Sequence, residues 1–117
     1  MAQKIFNIEM ARGDTLAKGF ILARSGQPVP ENFDDVFFTV KKYYSDHDFV
    51  LQKRMSTGGI VYDGEWHYTM FIDPEDTNNL AFGDYDCDFE FKRDGYKKTF
   101  YGKFKLNKEV THYYNEE

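Results

Sequence analysis

The chain has 117 residues, 15 basic and 20 acidic side chains, and a formal net charge of −5 at pH 7. That length holds one domain with one core, residues 1–117, and leaves no room for a separate substrate domain. With 41% hydrophobic and 30% charged residues, the composition is that of a soluble globular chain and excludes a disordered one.

The apolar residues recur mostly with a period of two, which predicts strands. Ile5 to Met10 forms the first, and Arg12-Gly13-Asp14 turns the chain into a second over Thr15 to Ala23. Ser25 to Glu31, with Gly26, Pro28 and Pro30, reads as a loop that cannot hold a ladder. Asp35 to Tyr43 is a third strand, with Val36, Phe38 and Val40 on one face and Phe37, Thr39 and Lys41 on the other. Phe49 to Met55 is a fourth, followed by Thr57-Gly58-Gly59 as a mobile loop. Glu65 to Ile72 is a fifth, with Trp66, Tyr68 and Met70 sharing a face. Asp73-Pro74-Glu75-Asp76 then carries helix-start signals: a capping Asp73, Pro74 at the first position and Asp76 at the third. One or two helical turns are expected across Pro74 to Ala81, with Gly83 as the exit.

The last hairpin is the clearest local inference. Asp94-Gly95 predicts a two-residue type I′ turn. Pairing outward from Arg93 and Tyr96 sets Phe89 opposite Phe100 and Tyr85 opposite Phe104, and sets Asp86 opposite Lys103 and Asp84 opposite Lys105. A one-residue slip would mate the apolar set with the charged set, so the register is specified. The result is an all-β chain of about seven or more strands, a sandwich or barrel, with one short helical turn.

Sites of chemistry are sparse. The row Asp84, Asp86, Asp88 and Glu90 invites a calcium loop, but the positions that need Gly and Glu hold Phe89 and Gly95, so a solvent-facing, salt-bridged row is expected. Arg12-Gly13-Asp14 resembles an adhesion tripeptide and equally suits a turn, which is the reading adopted. His47, His67 and His112 lack zinc spacing. Cys87 shares a face with Tyr85 and Phe89, which predicts a buried, inert thiol. One cysteine allows no internal disulfide. No catalytic residue, cofactor or metal is assigned. An acidic balance argues against a nucleic-acid partner. No apolar run nears the roughly 20 residues of a membrane helix, so no membrane association is expected. Met1-Ala2-Gln3-Lys4 opens no signal peptide.

The unusual figure is 19% aromatic residues, 12 Phe, 9 Tyr and 1 Trp. Most alternate with polar residues and so fill a core. Tyr43, Tyr44, Tyr62, Tyr96, Tyr113 and Tyr114 fall at strand ends or loops, where they either cover the rim of the core or form a binding surface for sugars or a protein partner.

Several segments, in order, look like a known family. They are Arg12-Gly13-Asp14-Thr15, Val36-Phe37-Phe38-Thr39-Val40-Lys41-Lys42, Leu51-Gln52-Lys53-Arg54, Asp73-Pro74-Glu75-Asp76-Thr77-Asn78-Asn79-Leu80, Gly83-Asp84-Tyr85-Asp86-Cys87-Asp88 and Thr99-Phe100-Tyr101-Gly102-Lys103-Phe104. Together, from about Ile8 to Thr111, they resemble the N-terminal β-sandwich domain of phage baseplate upper proteins and related prophage tail-region proteins. Cys87 departs from the pattern, which more often has an aromatic there, and longer members continue into other tail or host-binding parts. The resemblance implies an immunoglobulin-like, two-sheet antiparallel sandwich without catalysis. Its role would be structural, in the virion tail or baseplate, with the chain made in the bacterial host cytoplasm. Partners would be other tail proteins or, through open sheet edges, further copies of itself. The alternative is a carbohydrate- or cell-surface-binding module.

Overall fold

The computed structural model describes residues 6–21, 23–24, 27–28, 33–63 and 67–108. Ten strands are defined: β1 (Phe6–Ala11), β2 (Leu16–Phe20), β3 (Ala23–Arg24), β4 (Gln27–Pro28), β5 (Asp35–Lys41), β6 (Leu51–Arg54), β7 (Ile60–Tyr62), β8 (Tyr68–Ile72), β9 (Gly83–Arg93) and β10 (Tyr96–Asn107). A helical turn, α1 (Pro74–Thr77), joins β8 to β9. One sheet runs β1-β10-β9-β5-β6 and a second β2-β8-β7, with β3-β4 as a small separate ladder. The two main sheets pack face to face over a shared core, giving an immunoglobulin-like sandwich.

The β9–β10 hairpin has the expected register throughout, from Arg93–Tyr96 to Asp84–Lys105, and Gly95 takes the left-handed conformation (φ +74°) that its turn needs. Val36, Phe38 and Val40 share one face as their alternation predicts, and that face is buried; Tyr68 and Met70 likewise share a buried face. Other expectations need correction. The sandwich is not wholly antiparallel, because β1 runs parallel to β10 along Phe6–Gly102 to Ala11–Asn107. Within the predicted loop over 25–31, Gln27–Pro28 pairs with Ala23–Arg24. So short a ladder tolerates Pro28, which lacks only the amide donor.

Thr57-Gly58-Gly59 is not an open loop. Met55–Thr57 forms a 3₁₀ turn, Gly58 closes it at φ +90°, and Ile60–Tyr62 enters the second sheet as β7. Met55 therefore leaves the fourth predicted strand, which is reduced to Leu51–Arg54. Gly83 is not the helix exit. Helix α1 closes at Asn78 in ordinary right-handed geometry, and Gly83 (φ +131°) opens β9 instead. The helix start is as predicted, with Pro74 at its first turn and the Asp73 amide donating to the Asp76 carboxylate at 2.7 Å.

The aromatic excess is explained by the core. Phe89 on β9 touches Phe6 (5.1 Å between ring centres), Phe20 (4.4 Å) and Phe38 (4.8 Å). Phe91 adds Phe20, Phe33, Tyr68 and Phe100 at 5.3 to 6.0 Å. Phe20 and Tyr68 belong to the second sheet, so these rings join the two layers. Antibody domains staple the same layers with a disulfide. Here the staple is aromatic, each ring pair contributing about 0.5–1.5 kcal/mol beyond area burial.

Two polar clusters brace the frame. Asp35 is buried, accepting from the amides of Val36 (2.9 Å) and Ser56 (3.0 Å) while Arg54 grips its other oxygen at 2.8 and 3.2 Å. Burial pushes its carboxyl up, but Arg54, Ser56 and Val36 together pull it below the ordinary value. At the corner between β8 and β9, Tyr85 donates to the Ala81 carbonyl at 2.6 Å. This is the tyrosine corner of immunoglobulin-like sandwiches, here two residues before Cys87.

Candidate functional site

The outer face of the larger sheet is organised in rows. The register sets Lys41, Asp86 and Lys103 side by side on β5, β9 and β10, and one step along it sets Thr39, Asp88 and Tyr101. In the first row Lys103 meets Asp86 at 2.6 Å. Farther along, Lys97 approaches Glu90 at 3.6 Å. The acidic residues are thus spread along an outward strand face as expected, but of the four only Asp86 and Glu90 are salt-bridged. Asp84, although level with Lys105, and Asp88 form no ion pair with a described residue. No group of three or more His, Cys, Asp and Glu positioned for a metal ion occurs among the described residues.

Asp88 differs from its neighbours. Thr39 and Tyr101 flank it, so no cation stands directly opposite. Burial raises its carboxyl above the ordinary value and Glu90 adds to that, against partial relief from Lys41 and Lys97. Beneath the same face Cys87 is buried, its thiol pushed up to about 12 by burial first and then by Asp88 and Asp86. Such a thiol stays protonated at neutral pH and is a poor nucleophile.

Tyr44 lies across these rows. Its amide donates to Asp86 at 3.0 Å, and its hydroxyl sits 3.0 Å from the carbonyl oxygens of both Cys87 and Gly102, sharing one proton between them. Burial raises the Tyr44 phenol to about 12, with the Asp86 charge second, so it remains a donor. The Tyr101 ring meets that of Tyr44 edge-on at 5.3 Å and 90°. Between them and β5 opens a groove of about 270 Å³ lined by Thr39, Lys41, Tyr44, Asp86, Cys87, Asp88 and Tyr101. A second concavity, over Asn7, Glu9, Asp84, Lys103 and Lys105, has no aromatic in its lining.

The six tyrosines singled out from sequence do not form one surface. Tyr43 and Tyr44 are exposed at the β5–β6 connection. Tyr62 packs 4.8 Å from Tyr68 and Tyr96 lies 6.0 Å from Phe33, both partly buried against the core. Tyr96 pairs with Arg93 while Tyr44 holds Asp86, a separation of seven strand residues, or about 23 Å. Tyr113 and Tyr114 lie outside the described residues, as do Trp66 and His112. His67, exposed, sits just before β8 with Nδ1 3.6 Å from Asp63. Tyr101 was missed, although the hairpin register already turned it outward: Phe100 faces the core, so its neighbour cannot.

The Arg12-Gly13-Asp14 tripeptide is a turn. Gly13 (φ +85°) donates its amide to the fully buried Thr77 at 2.8 Å, and Arg12 reaches the Leu80 carbonyl at 3.3 Å and stacks over Phe82 at 4.1 Å. Lys53 pairs with Asp76 at 2.6 Å on the same corner.

These features define an immunoglobulin-like sandwich that carries, on the outer face of its larger sheet, a groove walled by Tyr44 and Tyr101. No family model and no curated protein matches the chain. Among solved structures it is similar to the endo-β-1,4-mannanase from Thermotoga petrophila (TM-score 0.55, 15% identity), covering 88% of this chain and 18% of the mannanase. It is also similar to Tim-1 (TM-score 0.43, 8% identity, 96% of this chain and 100% of that one) and to CD84 (0.42, 15%, 91% and 100%). The first is a likeness of fold; the other two lie too low to support an inference.

Proposed function

We propose that the chain is a non-catalytic structural module of a phage or prophage tail or baseplate, working through protein–protein contacts. The supporting observation is where the family-like segments meet. Arg12-Gly13 and the Asp73-to-Leu80 segment lie more than 60 residues apart in sequence, yet they join through the Gly13–Thr77 and Arg12–Leu80 hydrogen bonds. Leu51-Gln52-Lys53-Arg54 enters the same joint through Lys53 and Asp76. Three segments far apart in sequence thus build one structural joint, which supports reading them as parts of a single frame. Partners would be other tail proteins, with open sheet edges available for further copies. Lys18, exposed yet in register with the buried Met70, charges the β2 edge and disfavours unlimited strand addition there.

Deleting the gene from its lysogen and imaging the induced particles tests this. Missing or malformed tail tips are expected. Particles with normal tails and normal infectivity would contradict the proposal.

A further inference from the structure

We propose that the Tyr44–Tyr101 groove binds one ring of a neutral saccharide, a role that does not depend on a place in a tail. Its size comes first. A volume of about 270 Å³ falls just under the roughly 300–1,000 Å³ of drug-sized ligand sites. It suits a single sugar ring better than a folded peptide segment.

Its wall comes second. Tyr44 and Tyr101 are 44% and 39% exposed, so ring surface faces the solvent. A pyranose has an apolar C–H face, and a tyrosine ring supplies a flat, apolar surface with a negative face for it. The Tyr44 ring is held at both ends, by its amide on Asp86 and its hydroxyl on the Cys87 and Gly102 carbonyls. The platform exists before any ligand arrives, so little ordering entropy is lost on binding.

The polar groups come third. Asp88 makes no hydrogen bond or ion pair with any described residue, and its carboxylate can accept from two adjacent hydroxyls. Lys41 uses one N–H on the Asp46 carbonyl at 2.9 Å and keeps two. The Thr39 hydroxyl accepts from Gln52 at 3.1 Å and keeps its own proton to donate. Donors and acceptors therefore converge on one aromatic wall, and the charges of Lys41 and Asp88 offset each other. A sugar hydroxyl both donates and accepts, which matches this mixture. A cationic side chain would meet Lys41, and an acidic sugar would meet Asp88.

Amide NMR of the full chain, titrated separately with methyl α-glucoside, methyl α-mannoside, methyl β-galactoside and methyl N-acetyl-β-glucosaminide, reads the site directly. At least one should give saturable shifts at Asp86 to Asp88 and Tyr101 to Lys103, with Kd in the millimolar range. Tyr101→Ala should weaken binding by about tenfold or more, as expected for loss of an aromatic stacking surface. Thr39→Val, which keeps the side-chain shape, should weaken it by about three- to tenfold. Tyr62→Ala, on β7 of the second sheet and outside the groove lining, should leave it unchanged. Absence of saturable shifts with all four glycosides would overturn the proposal, as would binding that survives both groove variants. Shifts at the same residues with argininamide and none with the glycosides would also overturn it, assigning the groove to a basic side chain.

Discussion

Replacing Gly102 by alanine tests how the first strand is seated. Gly102 lies within β10, opposite Cys87 on one side and Phe6 on the other, and has no positive φ to require glycine. Its constraint is space. A Cβ there would stand 2.5 Å from the Phe6 carbonyl oxygen and 2.7 Å from two atoms of the Phe6 ring. The ring could swing away, but the carbonyl belongs to the β1 ladder, so relief requires moving β1 itself. Overpacking of this kind costs about 1–3 kcal/mol. Loss of glycine freedom in the unfolded chain returns about 0.4–1 kcal/mol. The net expectation is a destabilisation of about 1–2 kcal/mol, or a Tm lower by about 4–8 °C for a chain of this size. Thermal unfolding followed by circular dichroism gives the number, and hydrogen exchange gives the place: protection should fall first at Ile8 to Ala11. Removing the ring as well, with Phe6→Ala, should recover part of the added cost and show positive coupling between the sites. An unchanged or raised Tm would refute the close parallel seating of β1 on β10.

Four other outcomes follow from the same frame. Gly95→Val should cost at least about 1–2 kcal/mol, because Gly95 sits at φ +74° and a β-branched residue resists that region; an unchanged melting midpoint would contradict the turn. Tyr85→Phe should cost about 0.5–1.5 kcal/mol by removing the 2.6 Å bond to Ala81, measured by urea unfolding. Asp35 has a folded pKa below the ordinary 3.8, so its stabilisation is complete above that value and drains as pH falls through the lower folded value. Asp35→Asn should therefore destabilise at neutral pH and flatten the acid limb of the stability profile. Asp88 has the opposite sign: its folded pKa is raised, so the ionised form costs stability as pH rises past 3.8. Asp88→Asn should raise the Tm at pH 7 and change it little under acid conditions where Asp88 is already protonated.

How much was legible depended on how local the determinant is. The β9–β10 register follows from Asp94-Gly95 and from matched faces on adjacent chain, and every pair holds. Helix α1 likewise declares itself through Asp73, Pro74 and Asp76. The parallel pairing of β1 with β10 joins residues about 96 apart, for instance Phe6 with Gly102, and no period-two pattern announces a partner at that distance. Strand β7 is three residues long, and the neighbouring Gly58-Gly59 outweighed it as a turn signal. Gly83 misleads as a helix exit because a left-handed glycine is one way to end a helix, and Asn78 ends this one without it. Tyr43 and Tyr44 were recognised as candidates from their place beyond a strand end. The groove itself was not, since it needs Thr39, Asp88 and Tyr101 brought level by two ladders.

The proposal that this chain is a component of a phage tail can be checked by mass spectrometry of density-purified particles induced from a lysogen that carries its gene. Peptides of this chain at a fixed ratio to known tail proteins are the predicted result. Particles lacking it, with the protein free in the lysate, would contradict the proposal.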